Sequence, residues 1–506
     1  MKTRPYFLAA LTGILAGLSF PKFNLSFLIW VAPIPLFWIL NEMRPKKAFF
    51  VGWVAGLFFY GLLLYWIPYV PAHYGNLPFS LSLLIYFILI SILGLFWAIF
   101  AAIQSRLLIA FPAFSFILAP LLWVSLEYIL TYIFTGFPWG LFGYAQAQNL
   151  PLAQVASVTG VYGVSFLIIL TGASFVHSLV HRQKKPFFTT LLIVLLVHLI
   201  GFLTIYRARA CKPGSFKAAV IQGNVSSDVY WHSVPAAEIE KLFEYHLGLS
   251  QQAYNQGAEL IIWPEFSVPL CFSCPEEPYL CFRQRLEAFV QQTRTTLLLG
   301  TNERKFSQAS VEFYNTALCL KPDLSISTYY KMHLVPFGEY TPYKKIFSFI
   351  QRVTHAIGDV TPGKEHRLHY FGGYPFGSPI CYEIIFPNLV RQFVRRGATF
   401  LVTITNDGWY GTSSAPYQHF QIAIFRAIEN RRWLLRAATT GISGVIDPYG
   451  RVVKRSSLMT ADVLTAPIQP KSGNSLYSRW GDVGSWVCLT LTLTSIILSF
   501  LKRHHE

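Results

Sequence analysis

The sequence predicts a multi-span α-helical membrane domain joined to an extracytoplasmic α/β domain, and three observations carry that reading. Hydrophobic residues are 53% and aromatic residues 16% of the 506, while charged residues are only 13%, about half the share of a soluble domain. The apolar residues are segregated: 1–206 and 483–506 hold nearly uninterrupted apolar runs, whereas 207–482 read as a globular domain. Charge divides the same way, with 12 Lys+Arg against 3 Asp+Glu in the apolar parts and 29 against 21 in the rest. This composition excludes a disordered chain, and 34 Gly and 30 Pro without a period exclude a collagen-like or linker-dominated one. The net charge of +17 does not point to nucleic acid. Much of it lies in short loops between apolar runs, where basic residues set membrane orientation.

Seven candidate transmembrane helices fall within 1–206, at residues 6–20, 25–40, 49–67, 81–103, 114–133, 153–180 and 188–206. An eighth lies at 485–501, followed by a short tail. A helix needs ~20 residues to cross a ~30 Å hydrocarbon core. The first two segments are shorter and are separated by Pro21, which suits a tight or re-entrant pair. Lys2 and Arg4 before an apolar stretch resemble a signal peptide, but no small-residue cleavage site precedes the next run, so the segment is read as retained. Loop charges alternate. Lys2, Arg4, Arg44, Lys46, Lys47, Arg106, Arg182, Lys184, Lys185, Lys502 and Arg503 fall on one side and Lys22 alone on the other. The positive-inside rule then makes both termini cytoplasmic and puts 207–482 on the opposite face. Glu127 interrupts an apolar run, and a carboxylate there is costly enough to be either functional or paired with a neighbouring helix. The loop Phe134-Thr-Gly-Phe-Pro-Trp-Gly140 has aromatic and turn residues suited to the outer membrane surface, for anchoring or for handling a lipid.

After Arg209 the periodicity changes. Short strand-like stretches at 216–225, 259–266, 295–301, 313–320, 375–381, 400–405 and 444–453 alternate with helix-like ones at 236–255, 282–294, 388–397 and 418–437. That alternation predicts a layered α/β domain, large enough to bury its own core. Such folds place sites at strand ends and the loops that follow, and three such places are rich in chemistry. Trp263-Pro-Glu-Phe266 ends a strand on Glu265. Tyr330-Lys-Met-His-Leu-Val-Pro-Phe-Gly-Glu-Tyr340 is dense in ionisable and turn residues. Gly377-Ser-Pro-Ile-Cys-Tyr-Glu383 ends a strand on Cys381, with Glu383 two residues on. A thiol is a good nucleophile only as thiolate, so it needs a base and a nearby positive charge. Glu265 and Lys331 are candidates for these. Taken singly, each has an ordinary alternative: an inert packing cysteine, a capping carboxylate, a solvated lysine.

The order Glu, Lys, Cys across one α/β domain resembles the nitrilase (carbon-nitrogen hydrolase) superfamily, and the eight apolar segments resemble its membrane-integrated, lipoprotein-acylating branch. Further matching stretches are Phe134-Thr-Gly-Phe-Pro-Trp139, Gln222-Gly-Asn224, His333-Leu-Val-Pro-Phe-Gly-Glu339, Cys381-Tyr-Glu383 and Thr405-Asn-Asp-Gly-Trp409. The resemblance implies a nitrilase-like αββα sandwich over 207–482, with Glu265 as base, Lys331 as oxyanion stabiliser and Cys381 as nucleophile. It adds Glu339 as a second carboxylate and Tyr382, Glu383 and Trp231 as supporting residues. It implies an acyltransferase of the bacterial inner membrane with its catalytic domain in the periplasm. A membrane phospholipid would be the acyl donor, a Cys thioester the intermediate, and the N-terminal amine of a diacylated apolipoprotein the acceptor. No cofactor is expected, since the chain has no Walker loop, no G-x-G-x-x-G after a strand and no H-E-x-x-H. Two other readings are a membrane-tethered amidase or nitrilase using water, and a transporter with an extracytoplasmic binding domain. The transporter lacks the internal repeat and polar midplane sites that coupled transport uses.

One segment departs from the family pattern. Cys271, Cys274 and Cys281 have C-x2-C spacing plus a third thiol, without a fourth ligand for zinc. An oxidising compartment favours a disulfide among them.

Overall fold

The computed structural model describes residues 3–208, 215–225, 235–268, 271–306, 311–341 and 360–502. Its first part is helical: α1 (Arg4–Leu18), α2 (Pro33–Leu40), α3 (Pro45–Leu63), α4 (Phe79–Ala110), α5 (Ser115–Tyr132), α6 (Val161–Val180) and α7 (Lys185–Arg207). Five of these, α3 to α7, together with Val483–Leu501 near the C-terminus, are long and apolar enough to cross a membrane. The first two predicted segments form shorter elements. α1 has 15 residues, ~22 Å at 1.5 Å per residue, and α2 follows a 3-10 turn over Ser26–Trp30.

Small residues let these helices approach closely. A Cβ on Gly13 of α1 would lie 2.2 Å from the Ala55 carbonyl oxygen of α3, and one on Gly52 of α3 would lie 2.4 Å from that of Trp97 in α4. Lipid offers no hydrophobic drive to helix association, so such close packing holds α1, α3 and α4 together. Glu127, in α5, is buried. Its Oε1 accepts from Trp123 Nε1 at 2.9 Å and from the backbone N–H of Phe142 at 2.8 Å, tying α5 to the loop that follows it.

The second part has two six-stranded sheets. One runs β12-β1-β2-β3-β4-β5 and the other β11-β10-β9-β8-β7-β6. Their strands are β1 (Phe216–Gln222), β2 (Leu260–Ile262), β3 (Thr296–Phe306), β4 (Val311–Leu320), β5 (Ile326–Tyr330), β6 (His369–Phe371), β7 (Tyr374–Gly377), β8 (Phe400–Thr405), β9 (Leu434–Ala438), β10 (Gly444–Ile446), β11 (Val452–Arg455) and β12 (Asp462–Ile468). The two-residue period of a strand sorts the first sheet's side chains. Ala218, Val220, Leu260, Ile262 and Leu298 join the core shared with the second sheet. Ala219, Ile221, Ile261, Leu297 and Leu299 face the opposite way, into a cluster with Phe243 of α8 (Ala236–Asn255) and Phe282 of α9 (Tyr279–Thr293). Against the second sheet pack α10 (Pro387–Arg395) and α11 (Ala415–Asn430), and α12 (Val483–Leu501) returns to the membrane part. The result is an αββα sandwich beside a helical region.

The helix predicted over 418–437 ends at Asn430, where Arg431 turns left-handed with φ +53°. Leu434–Ala438 is instead β9, parallel to β8. It is buried on both faces, so it shows no alternation that would mark it as a strand. The predicted strand 444–453 is two strands, β10 and β11, around a turn in which Asp447 Oδ1 accepts from the backbone N–H of Tyr449 and of Arg451 at 2.9 Å.

Candidate active site

Glu265, Lys331 and Cys381 come from three separate strand ends. Glu265 follows β2, whose path is fixed by Trp263: its backbone N–H donates to Leu298 O at 2.8 Å and its buried indole to Ser250 Oγ at 2.8 Å. β3 crosses so near that a Cβ on Gly300 would stand 2.6 Å from the Glu265 Cα, so only glycine fits there. Lys331 directly follows β5, and its backbone N–H donates to Asn315 O at 2.9 Å. Cys381 opens a 3-10 turn (Cys381–Ile385) leading into α10, with φ +50°. A left-handed backbone on a side chain larger than glycine is strained, and such positions concentrate at functional sites.

Glu265 and Lys331 meet, with Glu339 and Asn315, in one hydrogen-bonded cluster. Lys331 Nζ donates to Glu339 Oε1 at 2.8 Å and to Glu265 Oε1 at 3.4 Å. Asn315 Nδ2 donates to the same two oxygens, at 3.0 Å and 2.7 Å. Glu265 Oε2 accepts from the Asn406 backbone N–H at 2.7 Å, and Glu339 Oε2 from that of Val335 at 2.8 Å. All of these side chains are buried. Burial opposes the Lys331 charge, but Glu339 and Glu265 outweigh it and hold the ammonium well above its ordinary range. Cys381 lies beside the same charges. Burial pushes its thiol up, Glu265 pushes it further, and Lys331 pulls it down, leaving it well above the ordinary thiol range. A thiol held above its ordinary range is a poor nucleophile until its proton is taken.

Glu383 ties together the backbone on two sides of the site. Its Oε1 accepts from Tyr329 Oη at 2.8 Å and from the backbone N–H of Met332 (2.7 Å) and His333 (3.1 Å), and its Oε2 from that of Ile380 at 2.7 Å. One carboxylate thus joins the segment after Lys331 to the segment before Cys381. Tyr382 Oη donates to Gly136 O at 3.2 Å, so the loop after α5 touches the residue next to Cys381. In that loop Phe134 is exposed and Trp139 buried. Trp231 lies outside the described residues.

Several residues of the cluster were not singled out from sequence. Asn315 is a polar residue in the middle of β4, and Asp407 follows β8. Asp407 is fully buried, 2.7 Å from Arg436 Nη2 and 2.9 Å from His419 Nδ1. Burial pushes its carboxyl up, and Arg436 and His419 overcome this to hold it at about 2. Polar side chains inside otherwise apolar strands were the available signal. Among the described residues no group of three His, Cys, Asp or Glu is arranged to hold a metal ion. Cys271 and Cys274 form a disulfide and Cys281 is free and exposed. The disulfide loop rests on Glu303, whose Oε1 accepts from Phe272 N at 2.9 Å and Oε2 from Ser273 N at 3.2 Å.

Comparison with known proteins agrees with this architecture. The carbon-nitrogen hydrolase family matches residues 217–476, and the apolipoprotein N-acyltransferase N-terminal domain matches residues 12–174. An apolipoprotein N-acyltransferase of Geobacter metallireducens is 37% identical over 523 residues, spanning 99% of this chain and 97% of that protein. One of Photobacterium profundum is 30% identical over 509 residues, spanning 98% and 94%. Among solved structures, a Saccharomyces cerevisiae member of branch 10 of the nitrilase superfamily is 20% identical, covering 52% of this chain and 93% of its own, with a TM-score of 0.40. Fold and family together define a membrane-integrated acyltransferase built on a carbon-nitrogen hydrolase domain. The chain belongs to the apolipoprotein N-acyltransferase family.

Proposed function

We propose that the protein moves one acyl chain from a membrane phospholipid, through a thioester on Cys381, to the N-terminal amine of the diacylglyceryl-cysteine of an apolipoprotein. In the first half-reaction the Cys381 thiol gives its proton to Glu265 as sulfur attacks the ester carbonyl. Lys331 and backbone N–H groups stabilise the tetrahedral oxyanion. The ester C–O bond breaks, Glu265 returns the proton to the leaving oxygen, and a lysophospholipid departs. In the second, the acceptor amine attacks the thioester, Glu265 takes a proton from nitrogen, the S–C bond breaks to leave an amide, and Glu265 gives the proton to the departing sulfur, restoring the thiol. Glu339 holds Lys331 in place, and Glu383 and Tyr382 fix the backbone around the nucleophile.

The observation that carries this reading is the position of the Glu265–Lys331–Cys381 cluster against the membrane part, with Tyr382 bonded to Gly136. The eleven-to-one bias in loop charge supports a periplasmic catalytic part with both termini cytoplasmic, and the Cys271–Cys274 disulfide suits that compartment.

The test is transfer itself. Purified protein given phospholipid and a diacylated lipopeptide should form triacylated peptide when the peptide's amine is free and none when it is blocked. Release of free fatty acid in place of peptide product would make water the acceptor and the protein a hydrolase.

A further inference from the structure

Gln418, in the first turn of α11, is a catalytic-part residue whose amide is bound almost entirely by the membrane part. It is buried, with 2% exposure. Its Nε2 faces Leu63 O at 3.0 Å, Pro21 O at 3.3 Å and Ser414 Oγ at 3.1 Å. Its Oε1 accepts from Trp139 Nε1 at 2.7 Å and Trp66 Nε1 at 3.3 Å. Each partner needs it. Leu63 is the last residue of α3, so its carbonyl lies outside the helix ladder, and a buried indole N–H must find an acceptor. One side chain thus gathers the turn after α1, the end of α3 and the loop after α5.

On its other side the catalytic part is locked without help from Gln418. The neighbouring His419 holds Asp407 at 2.9 Å, Arg436 holds the same carboxylate at 2.7 Å, and Thr405 Oγ1 donates to it at 3.0 Å. The intervening Asn406 donates its backbone N–H to Glu265. Other bonds cross the same seam, among them Tyr74 Oη to Gly408 O and Arg431 to Gln154 and Ser157, so loss of the Gln418 amide would loosen it locally, where the turn after α1, the end of α3 and the loop after α5 meet, and leave the Asp407 and Glu265 contacts in place.

We propose that Gln418 is a positioning residue that sets the Cys381 site against lipid held in the bilayer. It governs reaction with a membrane-embedded acyl donor and leaves the intrinsic reactivity of Cys381 alone. The proposal rests on the reading that the donor is a phospholipid.

The experiment compares two donors on the full-length protein reconstituted into bilayers. One donor is phospholipid in the same bilayer, a mixture of phosphatidylethanolamine and phosphatidylglycerol; the other is water-soluble p-nitrophenyl butyrate, which acylates the sulfur and releases p-nitrophenolate. The readout is the rate of acyl gain by intact mass. Gln418→Met keeps the shape and removes every hydrogen bond. It should slow acylation from phospholipid about 10- to 100-fold, the scale of a small misplacement of reacting groups. Acylation by the soluble ester should stay within about threefold of wild type. If Gln418→Met does not accumulate, Gln418→Glu, which keeps the acceptor for both indoles and loses the donors to Leu63 O and Pro21 O, must show the same split. Equal rates with both donors at the wild-type level, or equal loss with both, would overturn the proposal. Wild-type protein that takes the soluble ester and never the phospholipid would overturn the donor reading, and the proposal with it; the wild-type arm alone identifies that case.

Discussion

Glu339 is the nearer carboxylate partner of Lys331, at 2.8 Å against 3.4 Å for Glu265. On the proposed mechanism, this division would free Glu265 for proton transfer while Glu339 anchors the ammonium. If Glu265 were the sole counter-charge, each proton it accepted would leave Lys331 buried and unpaired, at a cost of several kcal/mol.

The two carboxylates should therefore differ when made amides. Glu339→Gln should slow acylation of Cys381 by roughly 10²-fold, as loss of one electrostatic partner does, with the adduct still reaching completion. Glu265→Gln should stop both half-reactions, because no group remains to take the thiol proton. Single-turnover acylation followed by intact mass separates these outcomes. Equal effects would mean that the roles are shared.

Glu383 predicts a pH dependence of stability. Burial pushes its carboxyl up to about 7, against the N–H donors of Ile380 and His333, the Tyr329 hydroxyl and Lys331. A carboxyl raised on folding binds protons more tightly in the native state, so its contribution is fully present below the unfolded value and is lost as pH rises toward 7. The wild-type Tm should fall relative to that of Glu383→Gln between pH 4.5 and 7. Parallel melting curves over that window would show that Glu383 is ionised throughout.

The disulfide loop should matter for stability and not for transfer. Closing a loop with a sequence separation of 3 stabilises by only about 2 kcal/mol in the chain-entropy account, and Glu303 still holds the loop backbone. Replacing Cys271 and Cys274 by Ser should lower the Tm modestly and leave transfer measurable. Complete loss of transfer in the folded variant would place this segment in the active site.

Topology is checked by fusions. A reporter inserted within 181–187 should read cytoplasmic, and one inserted between Phe306 and Val311 periplasmic. The reverse pair would reject the orientation drawn from loop charge.

Much of this architecture is legible in the sequence where one physical signal dominates. Long apolar runs mark α3 to α7 and α12, and Glu265, Lys331, Glu339, Cys381, Tyr382 and Glu383 sit in motifs dense enough to be read together. What is hard to read follows from burial and edges. β9 is apolar on both faces and continues a helical pattern, and β12 carries Pro467, which weakens a strand reading although Pro is tolerated at a sheet edge. Asp407 lies in the stretch Thr405-Asn-Asp-Gly-Trp409, but its partners Arg436 and His419, like those of Asn315 and Gln418, come from distant segments, so only the folded chain brings them into view.

The most direct test of the account is covalent capture at Cys381. Purified wild-type protein given phospholipid and no amine acceptor should gain the mass of one acyl chain, labile to hydroxylamine. Cys381→Ala should gain nothing, and Cys381→Ser should be nearly inert because a hydroxyl is a weaker nucleophile than a thiol and gives up its proton less readily. A diacylated lipopeptide with a free amine should discharge the adduct and an N-blocked one should not. An adduct that forms unchanged in Cys381→Ala, or that discharges equally to the blocked peptide, would contradict the mechanism.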